Sequence, residues 1–498
     1  MELWQNIPFF SILLSLASAS FTSIMPARAA RRTAIVVTSA VLCMSAALIG
    51  FTTAYGGSYT FMMGHFPAPW GNEIRAGVLE AVTAFAFSLI MLISLLGGLT
   101  KIEEHVENGK QNLYFIMCEL LLTALLAQVY TNDLFTAYVF VEIMTIAACS
   151  LITSRIKGRT LFAATRYMIM NLLGSGLFLL GLTLLYDLTG HLLMEDIREQ
   201  VTMLAQTGLY HQPLTVVIAL MCIGLAIKSA LFPFHTWLPD AYGYSTPASS
   251  AMLSSLVSKG YIFLLIKIIY RVIGLDVIRD SGIDNVLLIF ALVGIVMGSV
   301  SAIRERDIRR MVSYSSVAQI GYIFMGIGLG TEAGLVAALF HIIAHAAAKS
   351  MLFLSTSGLC EVSGERRLFR DLRGSAYRNP IAGIAFVVGA FSMVGIPFMG
   401  GFMSKLCFAS AAMEVGGERM LLVLLVLAIS TALNTLYFLR TVITIYRPTI
   451  REYPEAAGFH PRASFAVAMV AAIALNVALG VCSQPVLNAI AAGLTCFG

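Results

Sequence analysis

Charged side chains are scarce in this sequence. Of 498 residues only 12% are Asp, Glu, Lys or Arg, while 58% are hydrophobic. A soluble globular domain carries about 25% charge. This chain therefore lacks the polar side chains needed to cover a water-facing surface. Its eight cysteines (Cys43, Cys118, Cys149, Cys222, Cys360, Cys407, Cys482 and Cys496) form no CxxC pair and no Cys/His cluster. That pattern carries no iron–sulfur, haem or zinc signature. Most of them lie inside apolar runs, where free Cys behaves as a small hydrophobe. A nucleotide motif is missing too, so no cofactor is expected in this chain. The formal net charge of +5 is small. The arginines lie in loops between apolar runs, which is topology and implies no nucleic-acid partner. A basic stretch before the first apolar run is also lacking. Glu2 precedes that run and Arg28, Arg31 and Arg32 follow it. The expectation is a retained helix with its N-terminus outside, not a signal peptide.

What the sequence has in abundance is long apolar runs. A helix needs about 20 apolar residues to cross a bilayer. Fourteen segments fit, centred near residues 15, 43, 88, 121, 143, 174, 225, 260, 293, 319, 346, 393, 432 and 473. The expected fold is an all-α polytopic membrane protein. With these spans the loops alternate sides. One set, from Arg28 to Arg462, holds twenty Lys and Arg, Lys157 and Arg451 among them. The opposite set holds five: Arg75, Arg198, Arg271, Arg279 and Arg419. The positive-inside rule makes the first set cytoplasmic and both termini external. The implied location is a prokaryotic plasma (inner) membrane. No loop is long enough for a separate soluble domain, so no catalytic head is encoded.

Against this apolar background seven ionisable residues fall mid-span: Glu142, Lys228, Lys259, His341, His345, Lys349 and Lys405. A charge at the centre of a membrane helix costs about 2.5–3.5 kcal/mol on insertion scales, so each needs a partner or a purpose. Lys267, Arg271 and Arg440 fall near helix ends, where the expectation is that long side chains snorkel to the interface. Glu142, in "FTAYVFVEIMTIAACSLI", has no neighbouring charge in sequence, and Lys228 is its natural partner by sign. The bland reading is a static buried ion pair. Such pairs are weak evidence for stability, because desolvation can exceed the Coulombic gain. A pair that is made and broken would change the proton affinity of both members.

Lys259 lies among small residues in "AMLSSLVSKGYIFLL", which leave room for a neighbouring helix or water. "HIIAHAAAKSMLF" spaces His341, His345 and Lys349 four apart, on one helix face. That stripe suits proton hopping, since histidine titrates nearest neutral pH. A His pair at i, i+4 also fits a metal, but no carboxylate or Cys is near and Lys349 would repel a cation. An inert core is the third reading. Lys405 follows "GAFSMVGIPFMGGFMSK", where Pro397 and four glycines suggest a mid-membrane break. Pro233 and Pro239 follow Lys228 in the same way. Two proline-interrupted spans, each with a lysine, are the pattern of paired broken helices in repeat transporters.

Together these stretches carry a resemblance. "KSALFPFHTWLPDAYGYSTPASSAMLSSLVSKGYIFL", "RDIRRMVSYSSVAQIGYIFMGI", "HIIAHAAAKSMLFLSTSGL" and "GIPFMGGFMSK" resemble, in order, the antiporter-like subunits of respiratory complex I, Mrp Na⁺/H⁺ antiporters and membrane-bound hydrogenases. "YTFMMGHFPAPWGNEIRAGVLEA" and the choice of Lys405 over glutamate look most like the Mrp D-subunit type. One departure is Gly77 where relatives often carry an acid, with Glu80 three residues on. The resemblance implies three N-terminal helices (1–110), an antiporter-like core (111–450) and a final helix (451–498). Within the core it implies two inverted five-helix repeats, helices four to eight and nine to thirteen. It also assigns roles. Glu142 and Lys228 look like the coupled pair of one half-channel, Lys259 like the bridging lysine, His341, His345 and Lys349 like the second relay, and Lys405 like the terminal lysine.

Two functions follow as expectations. One is an ion-translocating subunit of an Mrp-type antiporter. The other is a pumping subunit of a membrane-bound redox complex, which would make the chain part of an oxidoreductase without a catalytic site of its own. A transport-dead scaffold is a third, opposed by the number of retained charges. The expected partners are further antiporter-like and small hydrophobic membrane subunits, with iron–sulfur or hydrogenase subunits under the second reading. The lysines and histidines favour H⁺, because Na⁺ prefers hard oxygen ligands. The residues leave open the driving reaction, the organism and the stoichiometry.

Overall fold

The apolar runs form helices, and capping residues set their ends. We describe a computed structural model covering residues 2–63, 66, 71–155, 158–208, 210–449, 453 and 459–496. The N-terminal part holds α1 (Glu2–Gln5), α2 (Ile7–Thr22), α3 (Ala27–Tyr55) and α4 (Val78–His105). Next come α5 (Gln111–Tyr130), α6 (Leu134–Thr153), α7 (Gly158–Thr189), α8 (Met194–Thr207), α9 (His211–Ser229), α10 (Leu238–Tyr244), α11 (Pro247–Met252) and α12 (Ser258–Lys267). After α13 (Leu275–Ser281), the second half runs α14 (Ile283–Arg304), α15 (Ile308–Gly328), α16 (Glu332–Glu361), α17 (Ser375–Arg378), α18 (Pro380–Val394), α19 (Gly400–Val415) and α20 (Gly417–Tyr446). The chain closes with α21 (Ala463–Val481) and α22 (Ser483–Thr495). Asp133, Thr246, Asp307, Thr331 and Asn379 cap helix N-termini by accepting backbone N–H bonds. Such caps satisfy donors that the helix cannot.

Among the described residues the regular structure is helical apart from one β-hairpin, β1 (Tyr59–Met62) with β2 (Glu73–Ala76), paired from Tyr59↔Ala76 to Met62↔Glu73. An apolar-run reading does not see it. It rests on the end of α5, where the Asn132 N–H donates to Glu73 O at 2.9 Å.

Among the described residues eleven helices are long and apolar enough to cross a membrane, against fourteen expected segments. The three others have identifiable shortfalls. α2 is apolar but has only 16 residues. α15 has 21 residues, but its first turn carries Arg309 and Arg310 and its middle carries serines. α18 stops after 15 residues because Gly395 adopts φ 88°, and α19 continues beyond the break.

Several ion pairs mark the two ends of the bundle. At one end Glu103 binds Arg31 and, at 2.7 Å, Arg462. Lys101 binds Glu365 at 2.7 Å, and Arg310 binds Glu305 at 3.1 Å and also Asp240. At the other end Arg271 binds Glu195 at 3.0 Å and Arg419 binds Asp284 at 3.0 Å. The arginine-rich loops thus share one end. Lys157 and Arg451 lie outside the described residues.

Lys267 and Arg271 do not snorkel. Both are buried, at 0% and 2% exposure. Lys267 donates to three carbonyls at the C-terminus of α5: Gln128 (3.3 Å), Val129 (2.7 Å) and Thr131 (2.7 Å). Carbonyls left unpaired at a helix end attract a cation more strongly than a long reach to water does. Arg440 is exposed at the surface.

Candidate functional site

The ionisable residues singled out in the sequence lie on α6, α9, α12, α16 and α19. α9 ends at Ser229 because Ala230 turns into the left-handed region (φ 63°). That conformation is costly for a residue with a Cβ and clusters at functional sites. Pro233 sits within the break, while Pro239 lies in the first turn of α10, where proline starts a helix rather than interrupting one. Pro397 lies in the second break, between Gly395 and Gly400.

Lys228 occupies the last turn of α9, fully buried. Its Nζ lies 3.4 Å from Glu142 Oε1 on α6 and donates to Thr145 Oγ1 at 2.9 Å. Thr145 also accepts from the Tyr261 hydroxyl on α12 at 2.9 Å while donating to Val141 O. The ammonium stands 5.2 Å over the Tyr261 ring. Ser175 on α7 donates to the Glu142 carboxylate. Gly174 beside it leaves room for the lysine stem, since a Cβ there would stand 3.0 Å from Lys228 Cγ. The Glu142 side chain keeps 26% exposure against 0% for Lys228, so Glu142 is the member that opens to the surface.

Lys259 is buried on α12, just past the π-helical turn Leu253–Val257, and donates to Ser254 O (2.6 Å) and Ser258 Oγ (3.1 Å). π-Turns recur at functional sites because they re-aim side chains. Lys259 lies within electrostatic reach of His345 and Lys349 on α16. Lys349 donates to Val312 O at 2.9 Å and to Ser315 Oγ. The His341 and His345 rings stack 5.6 Å apart at 10°, and the Tyr322 ring stacks on His341 at 5.6 Å. His341 Nδ1 shares a 2.6 Å hydrogen bond with Ser404 Oγ. Both ring nitrogens of His345 are buried with no hydrogen-bond partner among the described residues. Buried polar groups of this kind normally hold water. No group of three or more His, Cys, Asp or Glu gathers among the described residues.

Lys405, next to Ser404, closes the line. It donates to Val394 O (2.6 Å), the last carbonyl of α18, and to Thr431 Oγ1 on α20 (2.8 Å). Its ammonium lies 5.9 Å from the Tyr322 ring centre.

The structure adds Thr145, Ser404 and Thr431, which hydrogen-bond to Lys228, His341 and Lys405 respectively, and Tyr261, which bonds to Thr145. Each is ordinary in sequence, and only helix packing brings it to the site. Glu119 on α5 is another matter. It is buried at 1% exposure and stands in an apolar run just as Glu142 does, so the criterion that picks out one applies to the other.

A bundle of apolar helices that buries lysines, histidines and a glutamate between them has the makings of an intramembrane functional site, since such groups are costly there. The chain belongs to the NADH:quinone oxidoreductase/Mrp antiporter transmembrane family, whose model matches residues 131–432. It is 35% identical over 411 residues (82% of this chain, 79% of the relative) to the N-type subunit of the NADH-quinone oxidoreductase of Desulforudis audaxviator. It is 29% identical over 365 residues to the D-type subunit of the Na⁺/H⁺ antiporter of Bacillus subtilis, covering 72% of this chain and 71% of that one. The fold matches a chain of the Mrp complex from Dietzia with TM-score 0.85 at 23% identity, over 99% of this chain and 97% of that one. It also matches a chain of an archaeal membrane-bound sulfane sulfur reductase with TM-score 0.87 at 23% identity, over 100% and 98%.

Proposed function

We propose that this chain is an ion-translocating membrane subunit of a multisubunit complex of the Mrp cation/proton antiporter type. The observation that carries the reading is the Glu142–Lys228 pair at 3.4 Å, set at a helix break and tied through Thr145 to the Tyr261 hydroxyl of α12, the helix that also carries Lys259. Protons are the ion this lysine and histidine set suits. When Glu142 stands close and ionised, Lys228 keeps its proton. When the two separate, the buried ammonium loses its counter-charge and passes the proton on. Lys259 then feeds the His345–His341 stack and Lys349, and Lys405 delivers to the far side. Residues 111–450 form the working core, with fourteen spans in all. Two inverted five-helix repeats, α5 to α12 and α14 to α20, each contribute one broken helix.

A second reading is the pumping arm of a redox-driven complex. It is favoured by the 35% identity to an NADH-quinone oxidoreductase chain. Purification in gentle detergent with mass spectrometry of every bound chain separates the two. Small hydrophobic partners and a second antiporter-like chain support the antiporter. Iron–sulfur, nickel–iron or flavin subunits support the redox complex. A chain that purifies alone and carries no ions in vesicles overturns both.

A further inference from the structure

Away from the line just described, a second polar seam runs between α2 and α5. Its members are Ser11, Ser15, Ser18 and Thr22 on α2, and Glu119 and Thr123 on α5, all buried. Their spacing follows from helix geometry: positions 11, 15, 18 and 22 form one stripe of α2. Outside that stripe, Phe10, Leu13, Leu14 and Phe21 point outward. The Ser18 hydroxyl donates to Glu119 Oε1 at 2.8 Å. One turn along α5, Thr123 Oγ1 lies 2.9 Å from Ser15 Oγ. Thr22 stands against the same carboxyl group. Glu119 Oε2 and Thr22 Oγ1 are both buried on this seam and face one another, but neither comes close enough to a described residue for a well-formed hydrogen bond.

The chemistry of this seam differs from that of the main line. It contains no lysine, arginine or histidine, and no cationic side chain among the described residues pairs with Glu119. α2 carries no titratable side chain at all, and on α5 the nearest is the buried Cys118 thiol. A buried carboxyl without a cationic side chain has two ways to be neutral: it holds a proton, or it holds a metal cation. Every donor here is oxygen, namely one carboxylate and flanking hydroxyls, and such sets suit hard cations. One negative charge matches one monovalent ion.

We infer that Glu119, with Ser18 and Thr22, forms a site for a small monovalent cation of the Na⁺ class, at which Na⁺ and H⁺ replace one another. The exchange balances: the carboxylic acid loses its proton as the cation binds, and the O–H bond is replaced by coordination to the carboxylate. The site is separate from the Glu142–Lys228 line and stands or falls independently of it.

The test uses the intact complex, with Na⁺ itself as the probe and K⁺ as control. Infrared difference spectra on adding Na⁺ at constant pH should show a protonated-carboxyl band lost and a carboxylate band gained. K⁺ should leave both bands unchanged. E119Q should abolish the change, and S18A should raise the half-saturating Na⁺ concentration about tenfold, which corresponds to about 1.4 kcal/mol. E142Q should keep the full Na⁺ response, which distinguishes failure of this site from failure of the main path. Should E119Q not assemble, S18A and T22V carry the same reading, since both keep the carboxyl and remove an oxygen ligand. Absence of any Na⁺-specific change in the wild type overturns the site. So does a change that survives in E119Q, or in S18A and T22V at unaltered Na⁺ affinity.

Discussion

At the scale of single residues, the energetics of a buried charge govern what each substitution does. Glu142 and Lys228 share a 3.4 Å contact with Thr145 and Ser175 as further partners. E142Q retains an acceptor for Ser175 but removes the charge. K228A removes the ammonium altogether. We expect both to reach the membrane in assembled complex and to lose proton flux by tenfold or more in vesicles, since each unit of lost coupling is about 1.4 kcal/mol. Wild-type flux from K228A complexes would sink the proton-carrier assignment. Lys267 should behave differently, because all three of its bonds go to backbone carbonyls. K267M strands those acceptors, at about 1–3 kcal/mol for each buried group left unsatisfied. Its expected signature is a lowered melting temperature of the purified complex, measured by thermal unfolding. Unchanged stability would show that the carbonyls find other donors.

At the scale of elements, the two breaks hold the lysines in place, and glycine makes the second break possible. A Cβ on Gly401 would stand 1.8 Å from Ser392 O, a contact that no rotamer change can relieve because the obstructing atom is backbone. Gly395, at φ 88°, ends α18 so that the Val394 carbonyl is left for Lys405. G401A should therefore displace α19 against α18 and cut assembled yield, read by quantitative immunoblot of membranes. Normal yield with normal flux would mean the break adapts. Close packing also occurs at the α7–α9 crossing. There Gly174 and Gly224 face each other, and a Cβ on either would lie 2.7 Å from the other's carbonyl oxygen. Small residues let membrane helices approach closely, and here the approach brings α7, with the Ser175 that bonds Glu142, up against the Lys228 helix.

At the scale of the whole molecule, orientation follows from the distribution of basic loops. Those loops meet at one end of the bundle through the Glu103, Lys101 and Arg310 ion pairs. Reporter fusions should place the 366–378 loop in the cytoplasm and both termini outside. Reporters on the two termini that fall on opposite sides would overturn the fourteen-span proposal, because an even number of spans puts both ends on one side, and two cytoplasmic termini would overturn the orientation. Much of this molecule was legible in its residues. Low charge and long apolar runs set the class, since only helices or closed barrels satisfy backbone polar groups in lipid. A lysine or glutamate in such a run marks itself, because its cost is large and needs no neighbour to be noticed. The site hydroxyls of Thr145, Tyr261, Ser404 and Thr431 carry no such mark, for serine, threonine and tyrosine are cheap and common anywhere in a helix. The burial of Lys267 and Arg271, the β-hairpin on α5 and the Ser18–Glu119 bond likewise depend on which helices touch. The sequence by itself determined that helices cross a membrane and which of them carry charge. Only the tertiary structure decided which of those charges meet, because helix contacts form between segments up to several hundred residues apart and no local pattern encodes them.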